Sequence, residues 1–271
     1  MEPTRVDAMA HEALLLEARA SLARRRGEDG APLEAKALEL VRKGLELEPA
    51  NRWARGVQGW VYYARAFRKL NEGREAREDF DAAITNFQAL VSQADAPAYA
   101  RLNLADSYFG RAACELIENK DPSAFLKQGI EVAANGLRLE PGNSSLLASM
   151  GNLYCILGRH RAAHGGEAIP AFEHSISSYV DAAKKSSNPE SFRNLALVQT
   201  DLGDALLAKG GDAESVYRKA LVSADRAISL NPNCGLPQLV KGIAYLGLAR
   251  TARVEGEDPS SALKQAHQVL H

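Results

Sequence analysis

The sequence predicts an all-α protein, an α-solenoid of about six antiparallel helical hairpins repeating roughly every 46 residues. Three observations predict it. Prolines recur at Pro3, Pro49, Pro97, Pro141, Pro189 and Pro232, spaced 43 to 48 residues apart. A second marker, at Asp29, Glu75, Asp121, Ala168, Asp212 and Asp258, recurs every 44 to 47 residues. Finally, one helix-ending phrase occurs three times: "GLELEPAN" at Gly44–Asn51, "GLRLEPGN" at Gly136–Asn143 and "AISLNPNC" at Ala227–Cys234.

These markers divide the chain into units at about 3–48, 49–96, 97–140, 141–188, 189–231 and 232–271. Each unit opens after its proline with a helix A of roughly 20 residues, such as "RWARGVQGWVYYARAFRKL" from Arg52 to Leu70. A short polar turn follows: "NEG", "ENK", "HGG", "KGG" or "VEG". Helix B, of roughly 17 residues, then begins at the second marker. Asp121 is placed to cap its free N–H groups, and Pro122 fills a first-turn position where a missing N–H does no harm. Asp258-Pro259 repeats the device. Apolar residues recur at helical spacing, as Phe125, Ile130, Ala133 and Leu137, or Val216, Ala220, Ala224 and Ile228. The proline after helix B stops it and restricts the residue before.

A small residue stands about 16 positions before each helix B: Ala13, Gly59, Ala105, Gly151, Ala196 and Gly242. Three positions further on stand Leu16, Tyr62, Tyr108, Tyr154, Gln199 and Tyr245. A small side chain followed by a ring on the next turn lets two helices approach while the ring fills the adjoining space. We expect the small positions to mark contacts between neighbouring hairpins.

This order of residues resembles the tetratricopeptide repeat, W-x₂-L-G-x₂-Y…A-x₃-F…P. "GWVY" at Gly59–Tyr62, "GNLY" at Gly151–Tyr154 and "GIAY" at Gly242–Tyr245 carry its Gly and Tyr, and Ala83 with Phe87 carries its Ala-x₃-Phe. The spacing departs from the family. Twelve extra residues separate Tyr62 from Ala83, which fits a hairpin whose two arms are each lengthened. In this long-helix form the chain also resembles the TPR-like regions that follow the catalytic domain of some bacterial serine/threonine protein kinases. The resemblance implies a right-handed superhelical stack whose concave side, lined by helix A, binds a protein or peptide.

Relative to the packed small residue, the family's inner-face places fall on Trp53, Gly56, Trp60 and Tyr63 in the second unit. In the third they fall on Tyr99, Leu102, Asp106 and Phe109, and in the sixth on Leu236, Leu239, Ile243 and Leu246. The aromatic members can anchor a partner; in helices this long they can equally become core between units. Asn103 and Asn194 each precede a Leu-Ala pair, and Asn152 follows a packed Gly. The resemblance implies that these amides hold a ligand backbone, while a helix-to-helix hydrogen bond is the alternative. Ala148 and Glu190 stand where a carboxylate clamp would need basic groups, so a C-terminal carboxylate ligand is not expected.

Composition narrows the function further. Lys and Arg number 33 against 34 Asp and Glu, a formal net charge of −1, which argues against a general nucleic-acid or anionic-membrane binder. The basic run Arg24-Arg25-Arg26 reads as a solvated helix end, with phosphate or membrane contact as the alternative. Three cysteines without a C-x-x-C pair suit a reducing compartment, and no apolar run approaches membrane-spanning length, so a cytoplasmic location and no membrane insertion are expected. The phosphate-loop, kinase, nucleophile-elbow and H-E-x-x-H signatures are missing, so neither catalysis nor a cofactor is expected. His160 and His164, with Glu167 and His174 nearby, are read as surface residues, a metal site being the alternative.

The chain begins at a repeat seam and stops within the sixth helix B. Neither end carries a polar capping helix, so the segment is expected to be a piece of a longer protein with apolar ends through which it can self-associate. The leading functional expectation is a non-catalytic protein- or peptide-binding scaffold. A spacer or self-association arm of a bacterial serine/threonine kinase is the alternative.

Overall fold

Six left-handed turns punctuate the chain and decide where each helix pair folds back. The computed structural model describes residues 4–93 and 96–270. Pro3, the first proline marker, lies outside them. The described residues form twelve helices and no strand. The A helices are α1 (Arg5–Arg25), α3 (Arg52–Asn71), α5 (Ala98–Ile117), α7 (Ser144–Ala163), α9 (Pro189–Ala208) and α11 (Gly235–Glu255). The B helices are α2 (Ala31–Leu47), α4 (Arg77–Val91), α6 (Ser123–Leu139), α8 (Ile169–Lys185), α10 (Glu214–Leu230) and α12 (Ser260–Leu270). From α1 to α5 and again from α7 to α12, each helix packs on the next in chain order, as in an α-solenoid.

Every A-to-B turn is built alike. Gly27, Gly73, Asn119, Gly165, Gly210 and Gly256 all adopt positive φ, between 55° and 80°. The following N–H then reaches back five residues, for example Arg74 to Lys69 O (2.8 Å), Lys120 to Glu115 O (2.8 Å) and Glu257 to Ala252 O (2.8 Å). This is the Schellman closure, which satisfies orphan carbonyls and needs a residue that tolerates the left-handed region. Just beyond it the second marker acts. The carboxylates of Asp29, Glu75, Asp121 and Asp258 accept from the N–H of Ala31, Arg77, Ser123 and Ser260 at 2.9 to 3.0 Å, and Asp212 accepts from Ser215 at 3.1 Å. Ala168, the one marker without a carboxylate, precedes a helix with no side-chain cap.

The repeated phrase is the B-to-A seam. Asn51 Oδ1 accepts from Ala54 N–H (2.9 Å), while its amide donates to Glu48 (3.0 Å). Asn143 and Glu140 repeat this, with bonds of 3.0 Å to Leu146 N–H and 2.8 Å to Glu140. Each asparagine therefore caps the next helix A and is itself held by the glutamate that ended helix B. In the third copy Cys234 takes the asparagine's place, and α11 starts without a side-chain cap.

The glycines among the small residues make their closest approaches inside their own hairpin, while Ala13 and Ala196 share core clusters with both their own helix B and the next helix A. A Cβ on Gly59 would stand 3.0 Å from the Phe87 ring, on Gly151 2.8 Å from Tyr179, and on Gly242 2.6 Å from Leu270, each in the helix B of the same unit. Contacts to the following unit use other glycines. Gly110 in α5 lies against Phe80 of α4, and Gly247 in α11 against Tyr217 of α10. The expectation holds for the alanines and not for the nearest contacts of the glycines, because periodicity identifies a close approach without saying which neighbour makes it.

The helices group into two compact units, Met1–Val132 and Ala133–His271. In the first, Val6, Ala10, Ala13 and Leu16 of α1 pack with Ala37 and Val41 of α2 and with Ala54, Val57 and Val61 of α3. A second cluster joins Phe87 and Leu90 of α4 to Leu104 and Tyr108 of α5. In the second unit, Cys155, Phe172 and Tyr179 pack with Leu195, Val198 and Leu202 of α9. One position breaks the apolar pattern. Phe80, Phe172 and Tyr217 are buried at the start of their B helices, whereas the first hairpin holds a buried Glu34 there. Arg24 (3.1 Å) and Arg68 (2.9 Å) pair with it, so Arg24 is a structural residue and not the solvated end expected for the basic run. Arg25 and Arg26 are exposed.

Candidate functional site: an aromatic recess between α3 and α5

Adjacent A helices meet through residues that lie on their shared inner side, and a glycine in that line leaves room. Trp53, Gly56 and Trp60 fall on one stripe of α3, one and two turns apart. Gly56 carries no side chain, and the Tyr99 hydroxyl of α5 occupies the space its Cβ would need. A recess of about 250 Å³ results, lined by Leu14, Trp53, Gly56, Val57, Trp60, Tyr99 and Asn103. The two indoles are half-buried, and Tyr99 is 37% exposed.

The polar groups around it are mostly anchored. Trp60 donates a hydrogen bond to Glu17 of α1, whose carboxyl burial nevertheless holds above its ordinary pKa. Trp53 packs at 5.2 Å from the His11 ring, and its indole N–H is buried without a hydrogen-bond partner. Burial raises the Tyr99 phenol, against the opposing charge of Arg52. Asn103, half-buried on the α5 side, presents an amide at the recess wall.

Below the recess the rings close into core. Trp60 stacks on Tyr63 (5.5 Å), Tyr63 meets Phe67 edge-on (4.8 Å), and Phe67 stacks on Phe109 (6.3 Å) and meets Phe80 edge-on (5.1 Å). Burial, and then the nearby charge of Asp106, push the Tyr63 phenol well above its usual pKa. Trp53, Trp60, Tyr99 and Asn103 thus share one recess. Tyr63 and Phe109 belong to the aromatic ladder beneath it, and Asp106 lies beside Tyr63.

Asn152 and Asn194 lie in the second unit, and the structure brings them together. The Asn194 amide donates to Asn152 Oδ1 (3.4 Å), which also accepts from the Tyr179 hydroxyl. The Arg193 guanidinium holds the Asn194 oxygen (2.9 Å). This is the helix-to-helix bond that the sequence left open as the alternative. Beside it lies a network the sequence did not signal. The buried Cys155 thiol contacts Asp201 (3.7 Å), which pairs with Arg159 (2.8 Å). Burial pushes the Cys155 thiol up to about 12, and burial also raises the Asp201 carboxyl against the pull of Arg159. The recess residues missed by sequence, Leu14 and Val57, were also within reach, since Leu14 follows Ala13 as Trp60 follows Gly59.

His160 and His164 lie ring to ring at 4.4 Å, while His174 stacks on Tyr154. Among the described residues no group of three or more His, Cys, Asp or Glu side chains is arranged to hold a metal ion, and no helix is long and apolar enough to cross a membrane.

With twelve successive helices among the described residues, closed by left-handed turns and packed on small residues, the chain has the fold of tetratricopeptide-repeat proteins. The nuclear import adaptor Nro1 of S. pombe is similar, with a TM-score of 0.61 and 16% identity over 97% of this chain and 93% of that one. TTC0263, a thermophilic TPR protein of Thermus thermophilus, reaches a TM-score of 0.53 at 17% identity, covering 86% of this chain and 99% of its own. BtubC of P. vanneervenii reaches 0.51 at 16% identity over 87% of each chain. At such identities the likeness is one of fold. No protein-family model and no curated protein matches the chain.

Proposed function

We propose that the protein is a non-catalytic interaction scaffold that seats a peptide or protein segment on its helix-A face, with the recess between α3 and α5 as anchor site. The observation that supports this is an open, apolar hollow floored by Gly56 and flanked by Trp53, Trp60 and Tyr99. Rings held rigidly by their neighbours lose little freedom when they bury a partner's side chain, which is why Trp and Tyr dominate binding hot spots. The Asn103 amide, which both donates and accepts, suits a peptide backbone passing across the mouth. That Nro1 is an adaptor fits the same reading. Asp106, Tyr63 and Phe109 support the recess from below.

Screening the whole chain against a displayed peptide library, with tryptophan fluorescence as readout, tests the proposal. A bound peptide should protect the indoles from acrylamide, and Tyr99→Ala should weaken it by about tenfold or more, the loss typical of an aromatic anchor. Peptides that bind without altering indole quenching, or that ignore Tyr99→Ala, would remove the recess from consideration.

A further inference from the structure

The hollow between α3 and α5 is walled by rings where other A helices of the repeat carry other chemistry. Both tryptophans of the chain stand on it, with Tyr99 of α5 completing the wall. The places that match Trp53 and Trp60 hold Ser145 and Asn152 in α7, Glu190 and Leu197 in α9, and Leu236 and Ile243 in α11. Each indole is steadied by a ring outside the hollow: Trp53 packs on His11 at 5.2 Å, and Trp60 stacks on Tyr63 at 5.5 Å. The Trp60 N–H donates to the Glu17 carboxyl, and the charge of Asp106 reaches Tyr63. When ionised, a carboxyl that accepts from an indole N–H drives electron density into the ring and makes its face more negative.

The charge balance of the wall selects its occupant. Among the described residues, none that lines the hollow carries a charge, and the side-chain acceptors it offers are Asn103 Oδ1 and the Tyr99 hydroxyl. Arg52, whose charge reaches the Tyr99 phenol, stands outside the lining. Two acceptors cannot replace the water around an ordinary lysine ammonium, which has three N–H donors to satisfy. A trimethylated ammonium keeps the charge, has no N–H, and meets ring faces with its methyl groups. A neutral aliphatic group fits the same space but gains nothing from the negative faces of the rings.

We propose that the side chain this recess takes is a trimethylated lysine of a protein partner, held by cation–π attraction to Trp53, Trp60 and Tyr99. The inference rests on the recess being the peptide anchor proposed above, and it names the chemistry of the anchoring residue. A lysine within a polypeptide is the occupant because the Asn103 amide at the wall suits the backbone that carries it. A free methylated amino acid would bring a carboxylate, and the lining offers it no cation.

The test titrates the whole chain with synthetic peptides made in matched sets, each carrying lysine, trimethyl-lysine or a neutral tert-butyl isostere at one position, with tryptophan fluorescence as readout. Trimethyl-lysine peptides should bind about tenfold or more tighter than both counterparts, the gain of a desolvated cation–π site. Tyr99→Leu keeps an apolar wall at an exposed position and removes one ring, so it should melt close to the parent. It should cut the advantage over the tert-butyl isostere by about threefold or more. Choline should compete only at far higher concentration. Isosteres that bind as tightly as trimethyl-lysine, or an advantage untouched by Tyr99→Leu, would overturn the inference. Choline binding as tightly as the peptides would also overturn it, by assigning the recess to a free amine. If other peptides depend on Tyr99 while no trimethyl-lysine set gains, this inference falls and the peptide-anchor reading stands; if no peptide engages the recess, both fall.

Discussion

The ring of Tyr217 fills the space that a Cβ on Gly247 would occupy, so α10 and α11 touch through a residue with no side chain. The same ring stands 2.6 Å from a Cβ built on Gly203, and its hydroxyl is held by Asp204. One tyrosine therefore fixes the spacing of both A helices that flank it. Gly247→Ala should displace the ring and destabilise the fold by about 1–3 kcal/mol, the usual penalty of overpacking. Gly235→Ala, at a site with nothing within 4 Å, should be neutral or mildly stabilising. Urea unfolding of both variants checks the contrast.

The seam and turn residues make opposite predictions. Asn143 caps α7 while Glu140 holds its amide, and Asn143→Ala should cost about 1 kcal/mol. Asn119 is the one non-glycine with positive φ among the described residues, and its five counterparts in the other turns are glycines at 67° to 80°. Asn119→Gly should relieve that conformation and raise stability by about 0.5 kcal/mol or more, read as a higher melting temperature.

Glu34 is 3% exposed and shared by Arg24 and Arg68, with Arg65 at 4.0 Å. Removing the carboxylate leaves their charges facing a half-buried space. Glu34→Ala should therefore cost about 3 kcal/mol, the lower end for breaking a buried pair, since the arginines keep some solvent. The loss should exceed that of Glu46→Ala, whose partner Arg42 is exposed, by a wide margin in the same unfolding assay.

Cys155 predicts an alkaline limit. Its folded-state pKa, about 12, lies above the unfolded value near 8.5, so the unfolded chain loses the proton first. The contribution is intact below about pH 8.5 and fades as pH rises toward the folded value, at up to about 1.4 kcal/mol per pH unit. Burial raises the Tyr179 phenol in the same sense at higher pH. Cys155→Ser should flatten the decline between about pH 8.5 and 10. In the native protein iodoacetamide should modify the half-exposed Cys234 long before Cys155.

Much of this architecture is legible in the residues. The carboxylates at Asp29, Glu75, Asp121, Asp212 and Asp258 mark helix starts because an N–H at a helix end needs an acceptor, a local demand met by a neighbour in sequence. The turns are equally plain, since a left-handed residue is best supplied by Gly or Asn. The core stripes are less visible. Helical spacing points inward at Val216 of α10, which packs half-buried against the core, but it does not mark Tyr217 beside it, which is fully buried because its ring lies under two glycines. The aromatic wall divides in the same way. The recess holds Trp53, Trp60 and Tyr99, yet Tyr63 and Phe109 go into packing with Phe67.

Where helices begin, end and reverse is written in the chain itself, and hence so is the repeated hairpin, because caps, breakers and left-handed turns act within a few residues. Which helix each small residue faces, and which rings stay open, emerges from packing alone. Packing also set Asn152 against Asn194 and surrounded Glu34 with three arginines. Those outcomes depend on how residues on different helices, 10 to 42 positions apart, meet, and a periodic pattern gives the spacing of such faces but not the rotation that pairs them.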